Sequence, residues 1–363
     1  MLNSIGAIVE GTLGKTETET VLHASSFTCF SEFPLGLAVL PGGTAPLCCR
    51  VPVAYRPVVP LTRTLQFELT PMPTMHLSGK LKVLVAECIP ERDLVGRISR
   101  EGWKMGKEVL SGVPNVECDI KEIGALNDLT EALTSKTYDV LVISAHGGLD
   151  NERNQTGFVC GDRLVVGEDL GSLPTIVCLS ACQVSPRGKG STNVSDLMFR
   201  QGAAVVIGTL VPVDVRRNAT LMARFFVNVS EALQGRSAGK SLEEIWHFTC
   251  TSNAVNDIVS SNEALWRSIE RRGSYSVIED FMLKRSPGRL RKNHVYQDSE
   301  NVLAEIAQDH GILVKFRSWI NSQGYVPESA FYVIMGWPER IVFYEPEIEK
   351  VERMYAPIFS SSV

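Results

Sequence analysis

From Lys80 onward the chain alternates two rhythms, short apolar runs rich in β-branched residues and longer stretches with apolar residues at helical spacing. The runs at 81–87, 116–120, 139–144, 175–179 and 203–210 predict strands. The stretches at 95–110, 127–133, 194–201 and 215–233 predict helices, with Asn127 as the cap of the second. Strands alternating with helices at this spacing predict a mostly parallel α/β sheet flanked by helices. The right-handed crossover rule favours the strand order 2-1-3-4-5. Gly161-Asp162 marks a hairpin turn within 157–166, and Ser241-Leu-Glu-Glu reads as a capping box.

Residues 1–77 read differently. Proline recurs at 34, 41, 46, 52, 57, 60, 71 and 73, and the pieces 35–40 and 50–56 look strand-like. This predicts a β-rich lead-in without long helices. Residues 78–345 form the main domain, with a helical insertion at about 250–328 and a last apolar strand in Phe331-Tyr-Val-Ile-Met. Residues 346–363 are a tail.

Composition narrows the function. The 363 residues carry a net charge of −5, which gives no support for nucleic-acid or anionic-membrane binding. No apolar run approaches the length of a bilayer span, and the N-terminus lacks the basic-then-apolar pattern of a secretory signal. Nine cysteines lack zinc-ligand spacing, so no metal or other cofactor is expected. A reducing cytoplasmic setting suits a free thiol. The four glycosylation sequons, at Asn154, Asn193, Asn218 and Asn228, read as chance matches.

Two of the predicted strands end alike. Ser144-Ala145-His146-Gly147-Gly148 follows one, and Ser180-Ala181-Cys182 follows another. In a parallel sheet, chemistry collects at the carboxyl ends of strands. Neighbouring strands would bring a base and a thiol to one edge, the components of a Cys–His dyad for acyl transfer. Gly147 and the Cys182 N–H are the candidate oxyanion donors, the glycines also allowing a tight turn. Cys178 lies mid-strand and reads as core. No Gly-rich phosphate loop is present; Gly188-Lys189-Gly190-Ser191 lacks the upstream glycine that a phosphate-binding loop requires.

With Ser195-Asp-Leu-Met-Phe-Arg-Gln-Gly and the following 203–214 run, these motifs resemble a CHAT domain. That is a caspase-like peptidase domain related to separase and often found beside tetratricopeptide repeats. The resemblance covers about residues 80–345 and closes on Met335-Gly336-Trp337-Pro338, where such domains commonly end Met-Gly-Asp-Pro. It implies a caspase-like fold and a cysteine endopeptidase with His146 as base and Cys182 as nucleophile. It implies a protein substrate and a regulatory repeat-containing partner or appended domain that switches the enzyme on. The alternative it leaves open is a catalytically silent CHAT-like scaffold for protein interactions.

Two positions depart from the pattern. Val211 stands where the family often has Trp, and Ser180 where Arg-specific relatives carry Asp. Ser180 and Asp214 are the substrate-binding candidates, Asp214 equally a cap for the helix at 215. Arg216 and Arg217 would favour an acidic substrate residue, or face solvent. The polar loop 183–193, with Pro186, Gly188 and Gly190, carries a large ordering cost, which predicts a resting site that a partner completes.

Overall fold

A computed structural model describes residues 2–31, 33–41, 43, 45–57, 69, 72–152, 154–181, 193–237, 239–270, 276–285, 288–291, 294–323 and 327–344. Cys182 and the loop 183–192 lie outside the described residues. The described strands are Phe27–Cys29 (β1), Val53–Tyr55 (β2), Met75–Ser78 (β3), Leu81–Glu87 (β4) and Val116–Glu122 (β5). They continue with Val140–Ser144 (β6), Gly147–Asp150 (β7), Gln155–Cys160 (β8), Arg163–Val165 (β9) and Ile176–Ser180 (β10). Val205–Thr209 (β11), Tyr332–Gly336 (β12) and Ile341–Tyr344 (β13) complete the set.

The described residues fall into two compact units. One takes residues from 57–245 and 334–344, the other from 1–56 and 246–333. In the first, β11, β10, β6, β4 and β5 lie side by side in that order, and all four neighbour pairs are parallel. This is the expected 2-1-3-4-5 order, with β6 and β10 adjacent. The α/β class, a mostly parallel sheet flanked by helices, is the one observed. β6, β10 and β11 are buried along their whole length, so they read as continuous apolar runs rather than alternating ones. The last residues of β12 lie beside β11. Trp337, just past its end, donates to Ala204 O before the start of β11 (3.1 Å), so these two strands run in opposite directions.

The helix Leu94–Ser111 follows β4 and buries Gly96, Ser99, Trp103, Gly106 and Leu110, one face at helical spacing. It packs on the helix Val215–Leu233. A side chain at Gly102 would stand 2.9 Å from the Ala219 methyl, so the close approach of the two helices depends on that glycine. The helix Leu126–Ser135 begins one residue before its expected start. Its N-cap is Ala125 and not Asn127, and Asp128 reaches back over the helix start, its Oδ2 accepting from Gly124 N and Ala125 N. The capping box at Ser241 is present: Ser241 Oγ accepts from Glu244 N (3.2 Å), and Glu244 Oε2 accepts from Ser241 N (3.4 Å).

The second unit contains β1 and β2, a short parallel pair, and the helices Glu263–Glu270, Val277–Lys284, Val295–Asp309 and Leu313–Gln323. Its core is built on Trp266, Phe281, Val302, Leu303, Ile306 and Phe316. The lead-in is less β-rich than expected. Residues Leu2–Leu13 and Lys15–Leu22 are helices, and the 35–40 piece begins with a single 3₁₀ turn, Leu35–Leu37. The prolines that argued against helix begin only at position 34, so they never constrained the first thirty residues.

Candidate active site

The register between neighbouring strands sets the site. Glu87, Ser144 and Ser180 are the last residues of β4, β6 and β10, and they pair in one row, Glu87 with Ser144 and Ser144 with Ser180. All three are buried. Ser99, on the inner face of its helix, donates to Glu87 Oε2 (2.5 Å) and lies 2.9 Å from Ser144 Oγ. Ile89 N donates to the other Glu87 oxygen (3.1 Å). Burial pushes the Glu87 carboxyl above the usual range, the Ser99 and Ile89 hydrogen bonds working against it. Ser180 Oγ accepts from the buried Asn218 amide, so its hydroxyl belongs to this polar layer.

Beyond the row, Ala145 N donates to Ser180 O (3.3 Å), and the Ala181 carbonyl accepts from Thr209 Oγ1 (2.7 Å). Both alanines are buried, and their small side chains let the two strand ends lie close. His146 then emerges. Its side chain is 43% exposed, and Nε2 lies 2.9 Å from Asp93 Oδ2. Asp93 is the N-cap of the helix Leu94–Ser111, where Oδ1 accepts from Val95 N (2.8 Å). The His146 contact and the Val95 N–H hold the Asp93 carboxyl below its ordinary range.

Gly147 and Gly148 do not turn tightly, as the sequence suggested; they open β7, which pairs antiparallel with β8. The signal for this strand was masked by its two glycines. Val159 N donates to His146 O (2.7 Å), and Gly147 is paired with Phe158. Hydrogen-bonded and non-hydrogen-bonded pairs alternate along an antiparallel ladder. Gly147 is therefore a non-hydrogen-bonded position, with its N–H facing away from β8.

The remaining candidates stand as follows. Asp214 is exposed and caps the helix Val215–Leu233, its Oδ1 accepting from Arg216 N (2.8 Å) and Arg217 N (3.3 Å). Cys178 is fully buried mid-strand, and burial pushes its thiol up to about 12. Burial likewise raises Cys118, to about 11, and Cys250. Cys88 and Cys160 hydrogen-bond each other in the interior, which with burial raises Cys88. Among the described residues, no group of three His, Cys, Asp or Glu side chains is arranged to hold a metal ion, and no helix is long and apolar enough to cross a membrane.

Residues 98–245 match the family model of the CHAT domain. That match agrees with the motifs that resemble a CHAT domain and takes in His146, Cys182 and Asp214. No curated protein matches the chain. Among solved structures, it is similar to two crystal structures of the Saccharomyces cerevisiae separase–securin complex. One aligns at 14% identity with a TM-score of 0.39, over 58% of this chain and 14% of that chain. The other aligns at 15% identity with a TM-score of 0.38, over 58% and 13%. The chain thus spans about one seventh of the length of those neighbours.

Proposed function

We propose that this chain is a cysteine endopeptidase that cleaves a protein substrate with His146 and Cys182. The observation that carries the reading is the pairing of Ser144 with Ser180, since the histidine and the cysteine each follow one of these residues by two positions. In this reading the Cys182 thiol gives its proton to the His146 ring, and the thiolate attacks the peptide carbonyl carbon. The Gly147 and Cys182 N–H groups stabilise the oxyanion, a contribution of about 3–4 kcal/mol per well-placed donor. The imidazolium then protonates the departing amine as the C–N bond breaks, leaving a thioester on Cys182. Water, its proton taken by the same ring, hydrolyses the thioester and frees the thiol.

Asp214 would border the substrate cleft, with Ser180 in the polar layer beneath it, and a regulatory repeat-containing partner or appended domain would complete the site. A free thiol nucleophile suits a reducing compartment such as the cytoplasm. The test is reaction of the folded chain with a thiol-reactive peptide probe, followed by mapping of the labelled cysteine. Labelling of Cys182 that is lost in His146→Ala supports the dyad. A folded chain that leaves Cys182 unlabelled, with and without candidate partners, would fit the silent scaffold instead.

A further inference from the structure

The contact between His146 and Asp93 joins residues 53 positions apart, and Asp93 lies outside the segment matched by the family model. As a stabilising pair it has little to offer. Both side chains are partly exposed, 43% and 35%, and a solvent-screened ion pair contributes little to stability. As a positioning device it is well built. The Asp93 backbone is held in the extended cap conformation (φ −77°, ψ 137°), and Oδ1 is taken by Val95 N–H. The helix it caps is fixed in turn by the buried Trp103 and the close contact of Gly102 with Ala219. Only Oδ2 faces the imidazole.

We propose that Asp93 is the positioning residue of the site: its carboxylate fixes His146 with the proton on Nε2 and so leaves Nδ1 as the basic nitrogen. An ionised carboxylate has no proton to give, so Nε2 must be the donor in this hydrogen bond. A neutral imidazole carries one N–H, and the Nδ1 lone pair is then the one able to accept a proton. The assignment of Nδ1 as the acceptor of the Cys182 proton rests on the proteolytic reading above; the tautomer does not. Asp93 touches neither substrate nor thiol in this scheme and acts only through the histidine.

Asp93→Asn separates this role from a structural one, because Asn caps a helix as well as Asp does. With its amide oxygen on Val95 N–H, the Asn NH₂ would face Nε2. Nε2 must then accept, and the ring proton moves to Nδ1. The expected result is an inverted tautomer of His146 in long-range proton–nitrogen correlation spectra of the full chain, assigned with His146→Gln. The thermal midpoint should stay near the wild-type value. Probe reaction at Cys182 and kcat should fall by about 10³–10⁴, the scale of a wrong-tautomer defect in acyl transfer, with KM little changed. An unchanged tautomer in the folded Asn variant overturns the proposal, as does labelling of Cys182 that proceeds at the same measurable rate in both proteins. Inversion of the tautomer in a chain whose Cys182 never reacts would retain the positioning role and defeat the proteolytic reading. Should the Asn variant not fold, Asp93→Ser keeps a capping hydroxyl and removes the carboxylate. Its probe reaction should be at least about tenfold slower, and a wild-type rate would overturn the proposal.

Discussion

Ser144 and Ser180 sit directly opposite one another at the carboxyl ends of two neighbouring parallel strands, both buried, with Ala145 N reaching across to Ser180 O. A one-residue slip in that register would exchange the faces of every side chain on one strand. The slip is resisted on both sides. Glu87 and Ser99 close the polar row beyond Ser144, and Asn218 closes it beyond Ser180. The row is therefore a floor beneath the proposed reaction, and His146 stands above it.

Thr209 tests how the cysteine-bearing strand end is held. Its buried hydroxyl donates to the Ala181 carbonyl, the last described group before Cys182. Thr209→Val keeps the shape and removes the donor, leaving a buried acceptor short of a partner, at a cost of about 1–3 kcal/mol. Urea midpoints should fall accordingly, and kcat should fall with them, while Thr209→Ser restores both. A Val variant as stable and as active as the Ser variant would show that this bond does not hold the strand end.

Two cysteines four positions apart should behave oppositely. Cys178 is fully buried and its thiol is pushed up to about 12, so at neutral pH it offers almost no thiolate. Cys178→Ala should cost about 1–2 kcal/mol of stability, as a small cavity would, and leave turnover largely intact. Cys182→Ala should abolish turnover and keep the fold. Mass spectrometry of probe-treated protein checks the pair, and equal labelling of the two thiols would reassign the nucleophile.

Gly336 lies where the CHAT-like closing motif begins. Its φ is +94°, and an added Cβ would fall 2.2 Å from the Ala204 carbonyl oxygen at the start of β11. Gly336→Ala therefore meets both a left-handed backbone and a clash with main chain, which cannot swing away. A loss of about 2–4 kcal/mol in unfolding free energy is expected. A thermal midpoint within a degree or two of the wild type would mean that β12 approaches β11 less closely.

The order of the parallel strands was legible because strands buried on both faces appear as unbroken apolar runs, and 140–144, 176–180 and 205–209 all do. His146 was legible for the same reason: a polar residue just past such a run stands out. Asp93 was not, because periodicity says nothing about loops and 53 residues separate the two side chains. A signal did exist, an Asp just before a helical pattern and just after the neighbouring strand. The helices at 2–13 and 15–22 were hidden by Gly6, Gly11, Gly14 and four threonines, all poor helix formers. Cys182 remains an argument from sequence and register, which a crystal structure would test by placing its sulfur within about 3–7 Å of the His146 ring.

Glu87 supplies a pH dependence of stability that is separate from catalysis. Burial raises its carboxyl above the ordinary value, so the folded state holds this proton more tightly than the unfolded chain does. Stability from that proton is fully present below the ordinary Glu pKa, about 4.3, and is lost as pH rises through the folded value. Glu87→Gln cannot ionise, yet it satisfies the same neighbours: its carbonyl can accept from Ile89 N, and its amide can donate to Ser99 Oγ. The wild type should therefore lose ground to Glu87→Gln as pH rises. Urea midpoints of the two proteins at about pH 4 and about pH 8 read the difference directly. A difference that stays constant, or that shifts toward the wild type at the higher pH, would show that Ser99 and Ile89 outweigh burial and that Glu87 is held as a carboxylate beneath the site.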